Sequence, residues 1–121
     1  MVKTIDYEFP RGDTYPLRKF RVTDKNKKVI QLTNKEQLYF TVKTDANSNK
    51  VLFQKRKNEG IELGEDGYYH ITLDPADTNN LDYGTYVYDI QLKSTNSKVL
   101  VKTLFEGTIT LTNEVTWGVD E

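Results

Sequence analysis

The only histidine, His70, lies in the run YYHITL at residues 68–73, and histidine is the side chain best suited to moving protons near neutral pH. Alternation places Tyr69, Ile71 and Leu73 on one face of a strand and His70, Tyr68 and Thr72 on the other. His70 therefore points outward. No cysteine and no cluster of carboxylates stands beside it in the sequence, so a general base would lack the partner that orients it. Ser48, Ser94 and Ser97 fall in turn segments, without the Gly-x-Ser-x-Gly elbow that presents a hydroxyl nucleophile. A glycosidase-type pair needs two carboxyls roughly 5–10 Å apart in a cleft, and the sequence marks no such pair. Asp45, Asn47 and Asn49 alternate like the start of an EF-hand loop, but Lys50 stands where that loop requires glycine and Arg56 where it requires glutamate. Glu62, Glu65 and Asp66 surround a Gly-rich turn and read as its solvated side chains, with a weak calcium site as the alternative. The expectation is no catalytic residue, no cofactor and no metal: a chain that is not an enzyme.

Near the amino terminus Arg11, Gly12 and Asp13 spell RGD, the tripeptide of integrin-binding adhesion proteins. Glycine permits a turn there, and Asp13 and Thr14 are residue types that hydrogen-bond local backbone amides. The tripeptide reads as the lead-in to a strand. The basic run KVLFQKRKN, at residues 50–58, reads as a solvated edge strand whose Lys and Arg discourage unwanted pairing.

The elements that must position these residues follow from composition. At 121 residues without cysteine, the chain is one domain that must stand on packing alone. Seventeen basic and 18 acidic residues are interspersed, for a net charge of −1. No field therefore draws in nucleic acid or an anionic membrane. The start, MVKTIDYEF, has no apolar run of signal-peptide length, and no stretch approaches the roughly 18 apolar residues of a membrane span. Eight Tyr and five Phe, with many Thr and Val, are the choices of pleated, half-buried strands.

Short alternating runs separated by polar turns predict an all-β chain of about seven to nine antiparallel strands. Residues 14–23 and 29–33 read as a hairpin. EQLYFTVKT puts Leu38, Phe40 and Val42 on one face, and Val51 and Phe53 turn inward in the next strand. DPADTNN is the only helix signal, a short helical turn near residues 75–80 with Asp74 at the N-cap, Pro75 at N1 and Asp77 at N3. GTYVYDIQL directs Tyr86, Tyr88, Ile90 and Leu92 to the core. VLVKTLFEGTITLTNEV is one long strand or two, with Gly107 as a bulge or bend.

Asp82, Gly84 and Tyr86 form Asp-x-Gly-x-Tyr just before that strong strand. The arrangement resembles the tyrosine corner of immunoglobulin-like sandwiches, where the hydroxyl bonds the backbone of the preceding loop. Tyr88 stands where antibody domains carry cysteine, and EQLYFTVKT has no tryptophan, so an antibody-type domain is not expected. Taken together, GDTYPLRKFRVTDKNKKVIQLT, LYFTVK, GYYHITLDPADTNNLDYGTYVYDIQL and KTLFEGTITLTNEVT resemble the small immunoglobulin-like domains of tailed phages and prophages of Gram-positive bacteria, such as the amino-terminal domain of baseplate upper proteins. Those baseplate proteins continue into a long carboxy-terminal portion; the sequence here runs to Glu121.

The resemblance covers residues 10–116 or so and implies an immunoglobulin-like β-sandwich, residues 1–116, followed by a tail, 117–121. It implies a virion structural part, in baseplate, tail or head decoration, assembled in the bacterial cytoplasm and acting by protein–protein docking on other virion proteins, with a homo-oligomer as one form. Exposed aromatics are the usual anchors of such contacts, which singles out Tyr39, Tyr83 and Trp117 as interface candidates. The alternative is a carbohydrate- or host-receptor-binding sandwich, for which Tyr15, Tyr68 and Tyr83 would have to form one platform.

Overall fold

The computed structural model describes residues 3–23, 26, 28–29, 32, 35–48, 50–94 and 100–112. Among these residues, nine strands and one helical turn follow in chain order: β1 (Lys3–Thr4), β2 (Tyr7–Pro10), β3 (Tyr15–Pro16), β4 (Glu36–Lys43), β5 (Val51–Lys57), β6 (Gly60–Leu63), β7 (Tyr69–Leu73), α1 (Pro75–Thr78), β8 (Gly84–Ser94) and β9 (Leu100–Thr112). They join in one sheet of order β1-β9-β8-β4-β5-β6-β7-β3, with β2 also on β9. The sheet curls until its ends meet: the Phe9 and Tyr15 rings stack at 4.2 Å, and Phe20 lies edge-on to Phe105 at 5.3 Å. The chain is all-β, as its composition requires.

The core fills the inside of that curl. Leu38, Phe40 and Val42 of β4, Ile71 and Leu73 of β7, and Tyr86, Tyr88, Ile90 and Leu92 of β8 are buried, so period-two alternation assigned these faces correctly. Phe20, Val22 and Leu17 close the core from the segment after β3. The helical turn also forms, with the Asp74 amide donating to the Asp77 carboxylate at 2.7 Å.

The sheet is mixed, where all-antiparallel pairing was expected. β1 and β2 run parallel to β9, and β5 runs parallel to β6. The first pairing is long-range and leaves no local trace in the sequence. In the second, only Asn58 and Glu59 separate two parallel strands, far fewer than a crossover needs. This is a sideways jog of one chain: the Asn58 amide donates to Ile61, Arg56 and Glu59 exchange backbone bonds, and Asn58 and Gly60 take positive φ values of 69° and 109°.

Of the expected hairpin at 14–23 and 29–33, the described residues show the bridge Thr23↔Val29; Ile30, Gln31 and Thr33 lie outside them. Pro16 is the last residue of β3. Leu17 then donates to Ile71, and Phe20 exchanges two bonds with Tyr69, so three steps on one strand match two on the other and the ladder bulges. Val51 is exposed at 44% where an inward face was expected. Val42 pairs with Phe53 but Lys43 with Val51; the extra residue, Leu52, reverses parity at the strand's start.

Gly107 is neither bulge nor bend. It pairs in line with Tyr88, and the irregularity falls at Leu104, since Ile90 pairs with Phe105 and Gln91 with Thr103. A Cβ on Gly107 would lie 2.1 Å from the carbonyl oxygen of Ile5. Glycine is there because the amino-terminal backbone crosses it. The basic run is not a simple edge either. β5 has β4 on one side and meets β6 through Arg56 and Lys57 on the other, and the Lys55 ammonium is bonded to Asp77 at 2.9 Å with 12% of its side chain exposed.

Candidate functional site

Three surface regions collect the residues that could act on another molecule. The first is the loop between α1 and β8. The Tyr86 hydroxyl donates to the Asp82 carbonyl at 2.7 Å, and Gly84 takes φ 139°, a value that a side chain disfavours. Burial, then the nearby Asp82 charge, raises the Tyr86 pKa. The RGD segment packs here. Its backbone forms a turn, with the Asp13 amide on the Pro10 carbonyl and the Gly12 amide on the buried Thr78 hydroxyl at 2.8 Å. The Arg11 guanidinium donates to the Leu81 carbonyl and lies 4.3 Å from the Tyr83 ring centre. Arg11 is thus engaged in holding the amino-terminal turn, and one face of Tyr83 is covered although 46% of the residue is exposed.

The second region surrounds His70. The turn at 64–67 brings Asp66 back beneath it, Nε2 lying 3.1 Å from Oδ1, a carboxylate partner that the sequence did not suggest. Asp66 also accepts from the Tyr68 amide and from Lys19. The Tyr68 amide, then His70, then Lys19 hold its carboxyl well below the usual range. Tyr68 itself carries Lys19 and Arg21 at 4.5 and 4.7 Å from its ring centre. Asp45 accepts from the Asn47 amide, and residues 45–48 form a turn; Asn49 lies outside the described residues. Among the described residues no group of three or more metal-ligating side chains gathers.

The third region is the outer face of β1, β2, β9, β8, β4 and β5, opposite the core. A groove of about 370 Å³ runs across it, between Thr4 and Asp6 on one side and Lys43 and Ala46 on the other. Its floor is Val87, Asp89, Glu106 and the bare backbone at Gly107. Asp6 is fixed there by the amide and hydroxyl of Thr108, at 2.9 and 3.1 Å. Asp89 sits directly across from Glu106 in the ladder. Burial raises its pKa, Gln91 and Lys43 oppose that, and Glu106 raises it further. Tyr39 lies on the same face, two residues along β4 from Thr41, with the Arg56 guanidinium 5.5 Å from its ring centre.

The candidate anchors do not converge. Tyr39 is on the outer face, Tyr83 is beside Arg11, and Trp117 lies outside the described residues. The aromatic platform proposed for a sugar is also divided. Tyr15 pairs with Leu73 at one end of β7, while Tyr68 precedes Tyr69 at the other, roughly 15 Å away at the rise of a strand. Lys43, Arg56, Asp89 and Glu106 were missed as a set. Alternation put Asp89 outward, but only the strand order aligns these four on one surface.

No protein-family model, no curated protein and no solved structure matches the chain.

Proposed function

We propose that the chain is an immunoglobulin-like module of a tailed-phage or prophage particle, which works by docking on other virion proteins and not by catalysis. The strand order is the observation that carries this reading. In this reading β9-β8-β4-β5 is one layer of the curled sheet and β6-β7-β3 the other, with the two-residue jog between β5 and β6 as the corner. That is the G-F-C-C′ and D-E-B order of an immunoglobulin sandwich, and the Tyr86 to Asp82 bond falls where such sandwiches place a tyrosine corner. A sandwich of this kind offers faces and edges for packing. The step from sandwich to virion rests on the sequence resemblance.

The test is mass spectrometry of gradient-purified particles released by the encoding bacterium after prophage induction. Peptides of this chain at a fixed ratio to head or tail proteins support the proposal. Recovery only from the soluble fraction overturns it.

A further inference from the structure

The outer face of the sheet has a charge order that runs across the strands. Asp6 and Glu8 on the amino-terminal segment, Glu106 on β9 and Asp89 on β8 make one half largely acidic, with the exposed Lys93 of β8 as its one cation at the far end of the strand among the described residues. Lys43 on β4 and Arg56 on β5 make the other half basic. Where the halves meet, Thr41 of β4 pairs with Asp89 of β8 and Tyr39 with Gln91. Among the described residues no ion pair involves Asp89, Glu106, Lys43 or Arg56. Instead Asp89 and Glu106 stand directly opposite each other, and like charges in that position repel. Lys43 offsets part of that repulsion, and a cation brought from outside would relieve the rest.

One surface carries both halves of the pattern, and a two-fold axis lying in the face, along the strands between β8 and β4, reverses their order. Such a rotation lays β8 and β9 of one copy over β4 and β5 of the other. Arg56, an exposed residue with a long side chain, then reaches the region of Glu106 and Asp89. Sheets packed face to face align to within about 30°, which preserves this registration. Five strands at about 4.8 Å give a face some 24 Å wide, and the 11 residues of β8 run its length. That extent is sufficient for the roughly 800 Å² per partner of a specific interface.

We propose that this face is where a second copy of the chain docks, the acidic strands of each copy lying over the basic strands of the other. The interface is isologous, so every favourable charge contact occurs twice. It stands apart from the particle reading: a chain that is monomeric in solution leaves the particle experiment untouched, and the reverse holds.

Sedimentation equilibrium over a range of concentrations tests it, on the wild-type chain, Glu106→Arg, Arg56→Glu and an equimolar mixture of the two variants. Both positions are exposed, and a cooperative melt verifies each fold. If Glu106→Arg does not melt cooperatively, Glu8→Arg, exposed on the neighbouring strand, replaces it. The expected result is a wild-type dimer that weakens with salt, a loss of affinity of about tenfold or more in each variant alone, and recovery in the mixture. A wild-type monomer at the highest concentration overturns the proposal. So does a dimer indifferent to both substitutions, or a mixture that stays as weak as its components.

Discussion

The ammonium of Lys55, on β5, lies 2.9 Å from the carboxylate of Asp77, on α1, and both side chains are largely covered, at 12% and 20% exposure. The same Asp77 oxygen accepts the Asp74 amide that begins the helical turn. One carboxylate therefore ties α1 both to its own N-cap and to a strand of the curl. Removing one partner of a covered pair leaves the other charge without compensation. Lys55→Met should cost about 2 kcal/mol in urea unfolding, and Asp77→Asn more, because it also weakens the cap. A double-mutant cycle with near-zero coupling would count against the pair.

Gly107→Ala tests the close approach of the amino-terminal segment. The added methyl would meet the Ile5 carbonyl oxygen at 2.1 Å, so the backbone at Ile5 must withdraw. That breaks the Ile5 amide bond to Glu106 and the Tyr88 hydroxyl bond to Ile5. Overpacking of this sort costs about 1–3 kcal/mol. Hydrogen exchange should quicken at Ile5 and along β2 while β4 and β8 stay protected.

Tyr86→Phe keeps the ring in the core and removes only the hydroxyl that bonds Asp82. A loss of about 1 kcal/mol is expected. An unchanged denaturation midpoint would show that the loop between α1 and β8 does not depend on this bond.

Two aspartates give opposite pH signatures. The folded-state pKa of Asp89 is raised, chiefly by burial. The unfolded chain therefore ionises first, and a penalty is present at neutral pH that vanishes below the ordinary Asp range. Asp89→Asn should raise the melting midpoint at neutral pH and gain nothing near pH ~3. Asp66 is the reverse: its pKa is lowered, first by the Tyr68 amide and then by His70 and Lys19. Its contribution is present above the ordinary Asp pKa and is lost as pH falls below it. Asp66→Asn should lower the midpoint at neutral pH and converge on wild type in acid. Measured at concentrations where the chain is monomeric, equal shifts at both pH values would refute either assignment.

Alternation alone determined which side chains of β4, β7 and β8 face the core, because a strand's side chains point to opposite faces whatever its neighbours. The sequence also determined the helical turn, since Asp74, Pro75 and Asp77 act within a few residues of one another. Tertiary structure decided everything that depends on a distant partner. Gly107 is explained by Ile5, about a hundred positions away, and Lys55 is covered because a jog at Asn58 and Gly60 brings α1 over it. Val51 faces outward because of a single extra residue in the β4·β5 ladder, and one residue is enough to reverse a strand's faces. The charge order of the outer face belongs to no segment. It arises because the chain's two ends, β1 and β2 against β9, are laid parallel beside strands from its middle, and pairing between distant segments leaves no periodic mark on either one.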